Sequence, residues 1–80
     1  NAPRYYDDGV ADALDARLER ERRQACRRGM AAQRWLSLAQ RDDERAHMRA
    51  GRDHDAAIAR SVRAFRLHLA LAFRAAARAR

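Results

Sequence analysis

Lysine and threonine are missing from the 80 residues, serine occurs only at Ser37 and Ser61, and the one cysteine is Cys26. A lone thiol excludes an internal disulfide framework, so covalent staples do not hold this fold. Cys26 reads instead as a small apolar side chain, compatible with an intracellular reducing compartment. Bulky side chains are scarce as well. Of the 48% hydrophobic residues 20 are alanine, which leaves 18 larger apolar side chains with Cys26 included. A chain of this length buries only about 60% of the surface it exposes when unfolded. A large enzyme core is therefore excluded, and a free-standing monomer would be thinly supported. No apolar run approaches the roughly 18 residues of a membrane span. The best stretch, 67–73, contains His68 and is bordered by Arg66 and Arg74.

The inventory for chemistry is equally short. Ser37, Ser61 and Cys26 have no nucleophile motif around them, and there is no glycine-rich phosphate loop. Glu44 and His47 stand at i and i+3, a spacing that puts a carboxylate and an imidazole on one face of a helix in di-iron bundles. Such a site needs further inward carboxylates, and no acid follows Asp55. Glu44 is expected to face water in an acidic turn region. Ser37 opens Ser-Leu-Ala-Gln, which resembles a capping box but reads equally as a serine within a helix. No catalysis, metal, cofactor or small-molecule substrate is expected.

What is abundant is arginine and helix-forming alanine. Glycine and proline punctuate the chain so rarely that their positions parse it. Pro3 belongs to an extended arm over 1–7, and Asp7 and Asp8 suit the positive end of a helix that begins there. Gly51, after Arg45 and Arg49, can take the left-handed conformation that closes a helix. Asp53 or Asp55 can cap the next one. The expected fold is all-α, a helical hairpin with helices over about 8–50 and 54–78 in a single domain spanning 8–80. Gly29 is the ambiguous point, since glycine costs about 1 kcal/mol relative to alanine inside a helix. At 100° per residue, Val10, Leu14, Leu18, Ala25, Ala32, Leu36, Ala39 and Ala46 fall within about 80° of one another, and the stripe passes Gly29 without slipping. A continuous helix is the reading; a three-helix bundle broken near Gly29 is the alternative.

The second helix carries Ile58, Val62, Phe65, Leu69 and Phe73 on one face, while Leu67 and Leu71 lie among the arginines of the other. A helix apolar on two sides needs two neighbours. One is the first helix; these seven residues are the expected docking surface for the other, which is a second subunit, a different protein or a lipid surface.

Charge alternates along the chain. The net values are −3 over 1–21, +6 over 22–41, −2 over 42–55 and +6 over 56–80, which make the total of +7. Arg20, Arg23, Arg27, Arg34, Arg41 and Arg45 form a row opposite the apolar stripe, roughly 38 Å long at 1.5 Å per residue. Arginine forks suit phosphate and carboxylate, so the row is expected to meet acidic protein, RNA or DNA, or solvent. Aromatic interleaving for base stacking is nearly absent, and there is no helix-turn-helix, zinc-finger or RNP pattern. The acid-free 56–80 segment resembles surface-lying membrane helices and organellar transit peptides, so peripheral contact with anionic lipid is a further expectation. With Asn1 first, the chain reads as a processed product or a fragment; import processing would place it in an organelle such as the mitochondrion.

The functional expectation is a non-catalytic accessory or structural subunit that docks through amphipathic helices into a larger complex. The alternative is a small arginine-rich nucleic-acid-binding protein that dimerises through its apolar faces.

Overall fold

The computed structural model describes residues 8–79; the arm expected over 1–7 lies outside the described residues. Two helices make up the structure, α1 (Asp8–Arg49) and α2 (Asp53–Arg78), joined by a three-residue turn. The fold is a helical hairpin with a long first helix, and α1 runs unbroken through Gly29.

The turn follows from Gly51, which has φ 73, the left-handed value that side chains resist. Gly51 N donates to Met48 O at 3.1 Å and Arg52 N to His47 O at 2.8 Å. These are the paired bonds of a Schellman closure, and they satisfy carbonyls that the helix end would otherwise leave free. Arg52 Nε also donates to His47 Nδ1 at 2.9 Å, which fastens the turn from outside. Neither Asp53 nor Asp55 caps α2 as expected. The cap position is Arg52, without a side-chain bond, and both acids lie inside the first turn, where they face the positive helix end.

The helices run antiparallel in one register, set by contacts from Arg22 to Ala79, Gln33 to Arg66 and Glu44 to Arg60. At 42 against 26 residues, α1 outruns its partner, and residues 9–18 have no helix beside them and are exposed throughout. The molecule is a rod of 76 × 16 × 14 Å.

The seam between the helices is built from small and polar residues. On α1 it runs through Glu19, Arg22, Cys26, Gly29, Gln33, Ser37, Gln40 and Glu44, alternating at spacings of three and four; on α2 it runs through Ala56, Ala59, Arg63, Arg66, Ala70 and Phe73. The buried apolar residues are three alanines, Ala56, Ala59 and Ala70, and no large side chain is fully buried among the described residues. Ser37, inside the helix, donates its hydroxyl to Arg34 O at 2.6 Å, the i−3 back-bond open to a serine away from a cap.

Two features carry the pairing. At Gly29 a Cβ would lie 2.8 Å from Cε1 of Phe73, so the ring occupies the space that a side chain would fill. At the open end, Arg22 donates to Ala76 O at 2.6 Å and Ala79 O at 2.9 Å, capping the last carbonyls of α2 from the neighbouring helix. Glu19 holds Arg22 in place at 2.6 Å and takes a second arginine, Arg23, at 3.0 Å. The hydrogen bond from Arg22, ahead of the partly opposing desolvation, pulls the Glu19 carboxyl from 4.5 down to about 2; the same bond holds the Arg22 guanidinium more firmly protonated.

Gly29→Ala is expected to lower stability by roughly 1 kcal/mol, because displacing a packed ring costs about 1–3 kcal/mol and outweighs the roughly 1 kcal/mol gained in helix propensity. In a Phe73→Ala background the sign reverses, and paired urea titrations of the four proteins read the difference. Glu19, with its lowered value, contributes fully above about 4.5, and that contribution drains away as pH falls toward about 2. Protection factors of the amides at 76–79, taken relative to intrinsic exchange at each pH, should therefore fall across that interval, and Glu19→Gln should remove the dependence.

Candidate docking face

Each helix has an exposed apolar flank, and the two flanks lie on the same side of the hairpin. At 100° per residue the α1 stripe is centred about 115° from the line to α2, and the Ile58–Phe65 edge of α2 about 100° from the line back to α1. Because the helices run in opposite directions, these two rotations have opposite senses in space, and both flanks face one way. Val10, Leu14, Leu18 and Leu36 of α1 thus share a surface with Ile58 and Phe65 of α2, and all six are exposed. A shallow groove lined by Leu69, Ala72, Phe73 and Ala76 continues it along α2.

The arginines occupy the reverse side. Arg20, Arg23, Arg27, Arg34, Arg41 and Arg45 are centred about 95° from the contact line on the other flank of α1, and Arg60, Arg74 and Arg78 about 75° on the matching flank of α2, with Arg63 nearer the seam. Two depressions mark where they converge, one bordered by Arg20, Arg23, Gln24 and Arg27, the other by Arg27, Met30, Arg74 and Arg78. Arg23 is paired with Glu19, and Arg41 lies 3.9 Å from its neighbour Asp42. Arg20, Arg27, Arg34 and Arg45 have no acidic partner among the described residues.

The seven residues expected to dock a partner divide between two duties. Val62, Leu69 and Phe73 are half-buried against α1 and belong partly to the hairpin itself. Ile58 and Phe65 are exposed on the apolar side, Phe65 at 58%. Leu67 and Leu71, 45% and 60% exposed, stand among the arginines on the basic side and are not covered by their own chain. The α1 stripe does not meet α2; Trp35, at its edge, is 74% exposed and points away from the pairing line.

Glu44 corrects an expectation. It is buried rather than solvated, with Arg60 at 3.4 Å and Arg63 at 3.7 Å, and its Oε2 has no hydrogen-bond partner. The reason is phase. Glu44 lies on the small-residue seam, about 120° from the apolar stripe, and it is the acid that the arginines of α2 reach. Its relation to His47 is that of two positions along this seam, with His47 engaged by Arg52. No group of three or more metal-ligating side chains comes together among the described residues. Arg22 and Gln33 went unremarked in the sequence, and the signal for them was available: heptad positions 19, 26, 33, 40 and 47 read Glu, Cys, Gln, Gln, His, a polar and compact seam for a partner rich in alanine and arginine.

No helix among the described residues is long and apolar enough to cross a membrane. No family model, curated protein or solved structure matches the chain.

Proposed function

We propose that this protein is a non-catalytic helical subunit that docks onto protein through the apolar side of its hairpin and turns its arginine side outward. The observation that carries this reading is the mismatch between what the chain exposes and what it buries. Among the described residues it buries three alanines and no large side chain fully, while eleven large apolar side chains are exposed. Exposed Leu36, Ile58 and Phe65 lie together rather than singly, with Leu14 and Leu18 farther along the same flank, and apolar patches of this kind mark interaction surfaces. The outward arginines, several without an acid, suit a bridge to acidic protein or to RNA.

Those unpaired arginines also support a second reading, a basic binder of nucleic acid in which the apolar side serves dimerisation. The two readings separate by mutation. Phe65→Ala with Leu69→Ala is expected to shift the tagged chain, fractionated by size from its native cells, from a large complex to the free position. Arg27→Gln with Arg34→Gln should leave that fraction in place. If instead the arginine pair weakens binding to a nucleic-acid oligomer and reduces the slope of log affinity against log salt by about 1 per arginine, while the apolar pair leaves the complex intact, the nucleic-acid reading takes precedence.

A further inference from the structure

The proposed docking side has a feature that selects its occupant, the bare first turns of α1. Residues 9–18 extend past the end of α2 as a single helix with Leu14 and Leu18 exposed, and a lone helix of this length is marginal in water. Next to Ala25 the stripe carries Glu21 on one side and Arg28 on the other. We infer that the occupant is a second copy of this chain, its α1 antiparallel to the first along that stripe, about a two-fold axis close to Ala25. The inference rests on the reading of the apolar side as a protein-docking surface and names the partner.

Three observations agree on this arrangement. Rotation about Ala25 lays the overhang of each chain along residues 32–41 of the other, twice by symmetry, as a self-complementary interface requires. Apolar then meets apolar, with Leu14 of one chain beside Leu36 and Leu18 beside Ala32 in the other, and the axis itself passes between alanines that permit close approach. Within the stripe, Glu21 and Arg28 flank the axis, so each Glu21 lands beside the partner's Arg28. In the single chain Glu21 is held only by exposed Arg17 at 3.1 Å, and Arg28 has no acidic partner among the described residues. The overhang also reaches the charge-free edge of α2 at Ile58 and Phe65. The basic rows, being on the reverse side, stay apart.

The test uses the full chain at micromolar concentration. Native mass measurement should give a dimer. In a Cys26→Ser background, Ala25→Cys should cross-link to itself on mild oxidation, whereas Ala64→Cys, exposed on the outer side of α2, should not. Glu21→Arg and Arg28→Glu should each weaken the dimer at least tenfold, and the double exchange should restore it; circular dichroism confirms that each variant is helical. A monomer, a dimer in which Ala64→Cys cross-links and Ala25→Cys does not, or a failure of the double exchange to rescue would overturn this arrangement. A monomer that still joins a larger complex through Phe65 and Leu69 overturns the self-pairing alone. A dimer that passes these tests but runs free of any larger complex supports the pairing and counts against the subunit reading.

Discussion

The pairing of α1 with α2 is limited by how little there is to bury. Three alanines form the covered apolar set, so hydrophobic area cannot by itself fix one helix against the other. Polar contacts at the ends and middle do that work. Arg22 gathers the terminal carbonyls of α2 and is itself braced by Glu19. Gln33 receives Arg66 at mid-seam, and Glu44 draws two arginines at the closed end. Small seam residues let the backbones come close enough for these bonds to form, and closeness in turn keeps bulkier groups out of the seam. Apart from Phe73, which fits over Gly29, the larger apolar residues are therefore displaced toward the flanks.

That displacement produces the two-sided character of the hairpin. Since α1 and α2 have opposite directions, flanks of opposite rotational sense merge into one surface, and the arginines left over merge on the reverse. The result separates two kinds of contact. An apolar side favours close, dry association, whereas an arginine side favours phosphate or carboxylate and weakens as salt rises. Leu67 and Leu71 interrupt the basic side, so a partner there meets apolar as well as charged groups.

Much of the hairpin was legible because it depends on local chemistry. Gly51 marks a left-handed closure, the acids at 53 and 55 suit a first turn, and the stripe that keeps phase through Gly29 requires an unbroken helix. What could not be read was which face of α1 meets α2. Periodicity reveals an apolar face but not what covers it, and the natural guess, that apolar stripe meets apolar stripe, fails here because the seam is selected by size and hydrogen bonding. Glu44 illustrates the cost of that guess: measured from the stripe it belongs to solvent, and measured from the real seam it is central. The arginine row follows from periodicity alone, whereas its continuation onto α2 needs the antiparallel geometry.

The ring of Phe73 over Gly29 has a consequence for uniqueness. A seam of alanines and flexible polar groups resembles a smooth track, and shifting α2 along it by a turn would exchange one set of compact contacts for another of similar quality. Only a position without a side chain admits an aromatic ring, and 29 is the sole glycine in the part of α1 that α2 covers. The notch therefore acts as a detent, stopping the two helices at a single setting where sliding would otherwise be nearly free.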